Sequence, residues 1–303
     1  MAIIIQEKKM KAQRAILITG ANGQLGCELQ QLVPLYPQFR FFPTDIDTLD
    51  ICDKEAIESF LDKNRMNYII NCAAYTAVDK AEDEIDLCFR INRDAVRNLA
   101  EAACGKVKII HISTDYVFDG KSEKPLRETD TTNPQSVYGK SKNEGEKVLL
   151  ETVPYCIIIR TAWLYSSFGS NFVKTMIRLG KERDFLNVVN DQIGTPTYAT
   201  DLAKAILHII EESEKRNLFQ SGIYHYSNEG VCSWYDFCLK IHELAGIKTC
   251  KVHPVSTAGL STKAVRPVYS VLDKTKIKAI YHLTIPHWEE SLKNALKNFS
   301  GNL

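Results

Sequence analysis

Apolar runs of strand length alternate with amphipathic stretches over the first half of this 303-residue chain. Strands that are apolar throughout and separated by helices are typical of a parallel sheet covered on both faces. The pattern therefore predicts an α/β fold built on a doubly wound parallel sheet. The predicted strands are AILIT at 15–19, RFFPT at 40–44, YIINCA at 68–73, VKIIHIS at 107–113 and YCIIIRT at 155–161.

The predicted helices have recognisable ends. Asp53 is a candidate N-cap before KEAIESFLDK, and residues 85–103 carry apolar side chains at helical spacing. Further along, Ser233 and Asp236 form a candidate capping pair, and Gly246 is suited to end the same helix. These signals predict helices both between the strands and after them.

Three glycines follow the first predicted strand, in ILITGANGQLG. Gly20 permits a tight turn, Gly23 lets backbone N–H groups approach a pyrophosphate, and Gly26 allows close packing of the next helix. Asp45 ends the second strand, where a carboxylate accepts hydrogen bonds from an adenosine ribose and repels a 2′-phosphate. The spacing predicts a dinucleotide site in which Asp45 favours NADH. The alternatives are a purely structural glycine turn and an Asp45 that only stabilises its own turn.

Four further residues are expected along the same cofactor. Asp50 and Ile51 are placed to lie near the adenine. Ala73 and Ala74 follow the third strand and are small enough to let a cofactor lie across the sheet. The predicted site therefore extends over the carboxyl ends of the first three strands.

The same signals suggest how the chain is divided. Residues 15–165 are predicted to form a dinucleotide-binding Rossmann domain, to which the chain returns at about 195–228. Residues 166–194 and 229–300, where the pattern loosens, predict a smaller C-terminal substrate lobe. Residues 1–9 precede the first strand and are predicted to be a non-essential extension.

A Tyr-x-x-x-Lys pair, Tyr138 and Lys142, lies in a segment that opens with Asn-Pro and continues KSKNEGEKVLLE. The spacing places both side chains on one face of a helix, where an ammonium stabilises a phenolate and lowers the pKa of the phenol. Thr114 ends the fourth strand, where such sheets bind ligands, and its hydroxyl is placed to bond a substrate oxygen. The three residues predict proton transfer to a carbonyl. A solvated helix face and a turn-capping Thr114 are the alternatives.

Composition and charge exclude several classes of protein. A formal net charge of +1 with scattered Lys and Arg argues against nucleic acid and membrane partners. The best apolar run, YCIIIRTAWLY, is interrupted by Arg160 and is too short to span a bilayer. Nine cysteines without a C-x-x-C pair argue against a disulfide framework and a zinc site. We therefore expect a cytoplasmic protein without an assigned metal, either a monomer or a homodimer.

The motifs TGANGQLGCEL, NCAAYTAVDKAE, STDYVFDG, NPQSVYGKSKNEGE and DQIGTPT resemble the extended short-chain dehydrogenase/reductases. Within them, the likeness to the dTDP-4-dehydrorhamnose reductase family covers nearly the whole chain. The resemblance implies NAD(P)H-dependent reduction of the 4-keto group of dTDP-4-dehydro-β-L-rhamnose to dTDP-L-rhamnose, a step of nucleotide-sugar biosynthesis. It implies NADPH, NADH or both as cofactor, and it leaves magnesium unassigned.

The resemblance also gives roles to individual residues. Tyr138 is the proton donor, supported by Thr114 and Lys142. Thr114, Asp115 and Trp163 face the sugar. The cofactor contacts that the resemblance implies are Gly23, Gln24, Leu25, Ala73, Ala74 and Tyr75.

Among the substrate assignments, Trp163 and Arg266 each have an alternative. Trp163 is either a sugar contact or a core aromatic. Asn171 and Arg266 are candidates for contacts to the nucleotide diphosphate, because a diphosphate needs charge-assisted donors and Arg supplies them in a fork. A surface ion pair is the alternative for Arg266.

Two other functions fit part of the pattern. A nucleotide-sugar epimerase or dehydratase uses the same scaffold, but dehydratase relatives have Asp-Glu after the Thr, whereas Thr114 is followed by Asp115 and Tyr116. A non-catalytic, dinucleotide-binding regulatory subunit, like that of methionine adenosyltransferase, is the second alternative. The intact Thr114, Tyr138 and Lys142 favour an enzyme.

Overall fold

The computed structural model describes residues 13–103, 105–259 and 262–299. The predicted extension 1–9 and the last residue of the predicted substrate lobe, 300, lie outside these ranges. The strands are β1 Arg14–Thr19, β2 Phe39–Pro43, β3 Tyr68–Asn71, β4 Lys108–Thr114, β5 Cys156–Thr161, β6 Leu164–Tyr165, β7 Phe185–Val189, β8 Ile193–Gly194, β9 Thr197–Tyr198, β10 Gly222–His225, β11 Cys232–Ser233 and β12 Lys251–Val255. The helices are α1 Gln24–Leu32, α2 Lys54–Asn64, α3 Val78–Ala81, α4 Ile85–Phe89, α5 Ala95–Ala103, α6 Val137–Thr152, α7 Phe172–Glu182, α8 Ala199–Arg216, α9 Trp234–Leu244, α10 Thr275–Tyr281 and α11 Trp288–Phe299.

Six parallel strands form the main sheet, in the order β10-β5-β4-β3-β1-β2. The first five strands lie within a few residues of their predicted positions, so the predicted doubly wound α/β fold is confirmed. The strand order reverses direction at β1, between β2 and β3. In sheets of this kind the reversal leaves a crevice beyond the carboxyl ends of the strands, where ligands bind.

Apolar side chains cover both faces of this sheet. Along β1, Ile16 and Ile18 belong to one buried cluster, with α1 and α8, while Ala15 and Leu17 belong to another, with α2 and α5. Successive strand side chains point to opposite faces, so a strand covered on both sides must be apolar throughout. This is why the strands read as continuous apolar runs.

The helix ends follow the capping signals. The Asp53 side chain accepts a hydrogen bond from the Ala56 N–H, and Ser233 and Asp236 form a full capping box at the start of α9. Residues 85–103 are helical as predicted, with one difference. A π-helical turn over Arg90–Asp94 separates α4 from α5. Such turns are frequent at functional sites.

A further hydrophobic cluster, here called the second core, lies outside the main sheet. It joins residues of α7, α9 and α11 with the parallel pair β7 and β12. β10, from the predicted return segment 195–228, pairs with β5 in the main sheet. The division of the chain into two lobes at the predicted boundaries stays a prediction.

Candidate active site

A cavity of about 930 Å³ lies at the carboxyl ends of the central strands. At one end it is bounded by the glycine turn after β1 and by Asp45, and at the other by Thr114, Tyr138 and Lys142. The cavity is therefore long enough to bring both groups of predicted residues into one site. The other predicted residues that line it are Gln24, Leu25, Asp50, Ile51, Ala73, Ala74, Asp115, Trp163 and Asn171.

The glycine turn is built by close backbone contacts. Gly20 has a φ of +64°, and a Cβ there would lie 2.6 Å from the Ala73 nitrogen. At Gly26 a Cβ would lie 2.3 Å from the Gly20 carbonyl oxygen. Helix α1 begins directly after this turn, and its N-cap, Gly23, has no side chain to satisfy the first N–H groups. Free N–H groups at a helix N-terminus bind anions, so the turn fits a dinucleotide pyrophosphate.

Asp45 lines the cavity at the end that holds the glycine turn. One carboxylate oxygen accepts a hydrogen bond from the Asn22 N–H at 2.8 Å, and the other accepts one from the Ile46 N–H at 2.9 Å. These bonds fix the carboxylate while it still lines the cavity, so the turn-stabilising and ribose-binding interpretations are compatible. Sequence reasoning missed Ile46, an apolar side chain that is 75% exposed at the same end.

Thr114 and Tyr138 meet at the other end. Tyr138 lies in the first turn of α6, which Ser136 caps by accepting a hydrogen bond from the Gly139 N–H. Thr114 caps a short 3-10 helix over Asp115–Val117, and its hydroxyl donates to Asp115 Oδ1 at 3.0 Å. The Tyr116 ring packs edge-on against Tyr138, with 5.5 Å between ring centroids. Thr114 is therefore both a turn cap, as in the alternative interpretation, and a cavity residue.

The electrostatic surroundings of Tyr138 differ from the sequence expectation. Burial raises the pKa of the Tyr138 phenol, and the nearby Thr114 hydroxyl acts in the opposite direction. The ammonium of Lys142 was expected to lower this pKa. Instead, Lys142 Nζ donates to the Ile112 carbonyl at 2.7 Å and lies 3.2 Å from His111 Nε2. Because burial raises the pKa of the phenol, Tyr138 is in its protonated form at neutral pH.

Asp115 is a buried carboxyl in the wall of the cavity. Burial raises its pKa to about 6, against hydrogen bonds from Ser270, Thr114 and the backbone that lower it. Its Oδ2 atom has no hydrogen-bond partner within the described part of the chain. A buried oxygen without a partner is costly unless a ligand satisfies it. Asp115 is thus suited to bond a polar ligand, as the resemblance implies.

Trp163 packs against an aromatic cluster and also lines the cavity, and its predicted sugar contact stays a prediction. Its ring stacks on Trp234, with 3.6 Å between ring centroids and 9° between planes, and packs onto the aromatic cluster of the second core. The residue has a left-handed φ of 48° and also lines the cavity. A non-glycine residue with positive φ costs energy and is common at ligand sites. The stack and the backbone conformation together fix the indole at the cavity wall.

Asn171 and Arg266 are already engaged in contacts within the chain. Asn171 caps α7, and its amide donates to Gln24 Oε1 at 3.0 Å and to the Ser166 carbonyl at 2.7 Å. Arg266 forms a bidentate ion pair with Asp79, with its two terminal guanidinium nitrogens 2.6 and 3.1 Å from the carboxylate oxygens. The residue is outside the cavity lining. Both diphosphate assignments stay predictions. For Arg266 the observed contact is the ion pair of the alternative interpretation.

Tyr75 also lies outside the cavity lining. Its hydroxyl donates to Glu84, and its backbone N–H donates to Asn92 Oδ1 at 2.9 Å. Asn92 belongs to the π-helical turn and also donates to the Tyr75 carbonyl. The π-helical turn therefore holds the segment that follows Ala73 and Ala74. A cofactor contact by Tyr75 stays a prediction.

The described part of the chain contains neither a metal-binding cluster nor a helix suited to span a membrane. No group of three or more His, Cys, Asp and Glu side chains in residues 13–103, 105–259 and 262–299 is placed to hold a metal ion. Over the same ranges, none of the helices has the length and apolar character that a membrane span requires. Magnesium stays unassigned.

The fold and the cavity define a dinucleotide-binding oxidoreductase of the extended short-chain dehydrogenase/reductase class. The profile of the family described as "RmlD substrate binding domain" matches residues 14–300. Among curated proteins, the dTDP-4-dehydrorhamnose reductase of Aggregatibacter actinomycetemcomitans is 44% identical over 92% of this chain and 97% of its own length. The chain therefore belongs to the RmlD family, among the dTDP-4-dehydrorhamnose reductases.

Solved structures give the same result. A dTDP-4-dehydrorhamnose reductase from Clostridium acetobutylicum superimposes with a TM-score of 0.89 at 45% identity, covering 94% of this chain and 99% of that one. A second, from Bacillus anthracis in complex with NADP, has a TM-score of 0.89 at 42% identity and the same coverage of both chains. The family resemblance read from the motifs is thereby confirmed.

Proposed function

We propose that this chain reduces the 4-keto group of dTDP-4-dehydro-β-L-rhamnose to give dTDP-L-rhamnose, with NAD(P)H as reductant. The observation that carries the proposal is the single cavity that holds a dinucleotide turn at one end and Thr114, Tyr138 and Lys142 at the other. The family relatives named for this activity match over nearly the whole chain. The reaction belongs to nucleotide-sugar biosynthesis.

The residues of the site fit NAD(P)H. When bound, NAD(P)H supplies the hydride that adds to C4 of the sugar. Gly20, Gly23 and Gly26 leave room for the pyrophosphate, and the Asp45 carboxylate faces the ribose position. The negative charge of Asp45 favours NADH over NADPH, while the Bacillus anthracis relative was solved with NADP. Use of both cofactors by this chain is therefore part of the proposal.

Tyr138 supplies the proton. As C4 gains the hydride, its oxygen becomes an alkoxide, and the protonated phenol of Tyr138 transfers its proton to that oxygen. A high phenol pKa keeps Tyr138 protonated at neutral pH, and an alkoxide is basic enough to accept the proton. Thr114 is placed to donate a hydrogen bond to the same oxygen and so to orient the carbonyl. Lys142 offsets the negative charge left on Tyr138.

Asp115 and Trp163 are proposed to hold the sugar. The free Oδ2 of Asp115 accepts a hydrogen bond from a sugar hydroxyl, and the fixed Trp163 ring offers an apolar face to the pyranose. Asn171 and Arg266 stay candidates for the diphosphate. For Arg266 this requires exchange of its Asp79 partner for the ligand.

The test supplies purified protein with enzymatically made dTDP-4-keto-6-deoxy-L-sugar and follows the absorbance of NADH and NADPH in separate assays. Stoichiometric oxidation of the cofactor and a rhamnose product identified by NMR are expected. A talose product would refute the stereochemistry of the proposal. No net oxidation would refute the reductase itself and favour an epimerase or dehydratase, because those enzymes recycle their cofactor.

We further propose a cytoplasmic enzyme that acts as a monomer or homodimer. The eight cysteines among the described residues are all free thiols, which suits a reducing compartment. Cell fractionation tests the location, and light scattering coupled to gel filtration tests the oligomeric state. A disulfide-linked or secreted form would contradict the first part, and a tetramer the second.

A further inference from the structure

Four buried polar side chains form a chain of hydrogen bonds behind the catalytic end of the cavity. Thr19 Oγ1 donates to Asn71 Oδ1 at 2.7 Å, and Asn71 Nδ2 donates to His111 Nδ1 at 3.0 Å. His111 Nε2 lies 3.2 Å from Lys142 Nζ. Each of the four residues is at most 2% exposed. A continuous path of buried hydrogen bonds therefore runs across the apolar strands and ends at Lys142. We call it the hydrogen-bond path.

The sheet register places these residues side by side. Thr19 of β1 is the partner of Asn71 of β3, and Asn71 is the partner of His111 of β4. Lys142 lies on α6, which packs on β4, and its Nζ is close to the His111 ring. Thr19 directly precedes Gly20, so the path runs from the glycine turn to the catalytic lysine. Buried polar networks of this kind are costly unless every member is satisfied.

The donors and acceptors along the path define one arrangement in which Lys142 is neutral. While Asn71 donates to Nδ1, a neutral His111 ring carries its proton on Nε2, which then donates towards Lys142. Lys142 Nζ can accept that hydrogen bond only as an uncharged amine. Its own hydrogen is directed to the Ile112 carbonyl. In this arrangement every contact of the path is satisfied and Lys142 is neutral.

Rotation of the Asn71 amide by 180° gives the opposite arrangement. The amide oxygen then accepts from Nδ1–H, and Nε2 has a lone pair that accepts from the Lys142 ammonium. The amide nitrogen donates to Thr19 Oγ1. The two arrangements differ in the exchange of Asn71 Oδ1 and Nδ2, in the His111 tautomer and in one added proton, which lies on Lys142.

The surroundings allow Lys142 to change charge in the working pH range. Burial lowers the pKa of Lys142 to about 8, opposed by Glu146 on the same helix, Cys88 of α4 and Cys72 after β3. Burial, followed by the charge of Lys142, lowers the pKa of His111 well below its usual value. The imidazole therefore stays neutral, and its tautomer is what changes.

We propose that His111 is a positioning residue that holds the Lys142 amine and, through Asn71 and Thr19, couples its charge to the direction of this hydrogen-bond path. The consequence for turnover rests on the proposed function. Charged Lys142 supports proton donation by Tyr138, because it stabilises the phenolate that remains. Turnover therefore falls as Lys142 loses its proton on the alkaline side, and His111 switches from the Nδ1–H to the Nε2–H tautomer in the same pH interval.

The direct test is NMR of the ligand-free full-length protein between pH 6 and 10. Two-bond proton–nitrogen correlations of the imidazoles report the tautomer, with the His111 signals identified by their loss in His111→Gln. Labelled lysine reports the titration of Lys142. We expect one common transition for both residues. A single His111 tautomer across the whole range in the wild-type protein would overturn the proposal.

Asn71→Asp sharpens the test. A carboxylate only accepts hydrogen bonds and adds a negative charge, so it locks the Nδ1–H tautomer and favours charged Lys142. We expect the Lys142 transition, and the alkaline limb of kcat, to move up by about one pH unit. An unchanged transition in a folded Asn71→Asp protein would overturn the coupling.

His111 variants separate positioning from mere packing. His111→Leu is expected to lower kcat at least tenfold with little change in KM and to shift the alkaline limb, while His111→Gln restores part of both. His242→Gln is the matched control, since His242 is a buried histidine of α9 in the second core, and we expect it to leave the pH profile unchanged. A lowered kcat with a wild-type pH profile in both His111 variants would indicate a structural role only.

These readouts also separate the two proposals. The tautomer and lysine titrations need no sugar, so an inactive wild-type protein with the expected switch would contradict the proposed reaction alone. An active protein without the switch would contradict the positioning role of His111 alone.

Discussion

The two ends of the cavity differ in the groups that form their contacts. At the cofactor end the contacts are made by backbone, where the absent side chains of Gly20 and Gly26 let three segments of main chain approach closely. At the catalytic end they are made by buried polar side chains, in which His111, Lys142 and Asp115 each have a pKa displaced by burial. At the cofactor end an added Cβ would clash with backbone atoms. At the catalytic end a misplaced proton would leave a buried polar group without a hydrogen-bond partner.

The largest expected effect is at the catalytic end. Tyr138→Phe removes the proton donor, so we expect turnover to fall by about 10²- to 10⁴-fold while cofactor affinity is retained. Stopped-flow turnover and fluorescence titration with NADPH measure the two quantities. Tyr165→Phe is the matched control, because the buried Tyr165 hydroxyl has no partner among the described residues and its loss should leave turnover intact. Near-normal turnover of Tyr138→Phe would remove the residue from the mechanism.

The corresponding change at the cofactor end is Gly20→Ala. A left-handed φ costs an alanine about 1–2 kcal/mol, and the Cβ would also press on the Ala73 backbone. We expect cofactor affinity to fall at least tenfold. Gly246→Ala is the control: its φ is +69°, yet its Cβ would meet nothing within 4 Å. Equal loss of cofactor binding in both variants would show that general destabilisation of the fold, rather than close approach at the glycine turn, is the cause.

Asp115 contributes a pH dependence to stability. Its folded-state pKa of about 6 lies above the ordinary 3.8, so folding favours the protonated carboxyl. That contribution is full below about pH 4 and is lost as the pH rises through 6, with a difference of about 3 kcal/mol at most. Asp115→Asn should flatten the dependence, measured by urea unfolding at pH 4 and pH 7. The same change in the free energy of unfolding between pH 4 and pH 7 in the wild type and the variant would contradict a raised pKa of the buried Asp115 carboxyl.

The smallest expected effect concerns cofactor choice. Asp45→Asn removes the charge that repels a 2′-phosphate and keeps an oxygen for only one of the Asn22 and Ile46 N–H groups, which bond separate oxygens of Asp45. We expect the ratio of kcat/KM for NADPH to that for NADH to rise roughly fivefold, as for about 1 kcal/mol of screened repulsion. An unchanged ratio would show that the carboxylate serves only the turn.

The difference between the two ends also explains how much of the site could be read from the sequence. The glycine spacing and Asp45 are local signals, because a tight turn and a strand end need particular residues at fixed positions. Tyr138, Lys142 and Thr114 were found through spacing and strand position. His111 was missed, although a histidine within the apolar run of β4 is the signal that could have pointed to it. Its partner Lys142 is 31 residues away, and no local pattern joins the two.

Charge was the hardest property to predict. The four-residue spacing correctly put Tyr138 and Lys142 on one helix, but the Tyr138 pKa is raised rather than lowered, because burial of the phenol has the largest influence on it. Arg266 is a second example. The sequence left a diphosphate contact and a surface ion pair open for Arg266, and folding brings Asp79 to its guanidinium from 187 residues away.

The sequence by itself determined the doubly wound sheet, the glycine turn, the helix caps and the family. These follow from side-chain periodicity and local backbone geometry, which are properties of neighbouring residues. Only the tertiary structure decided which buried polar groups face one another, and therefore where the protons lie. Desolvation and hydrogen bonding depend on atoms that are distant in the chain and adjacent in space, so the path from Thr19 to Lys142 exists only once three strands and α6 are assembled.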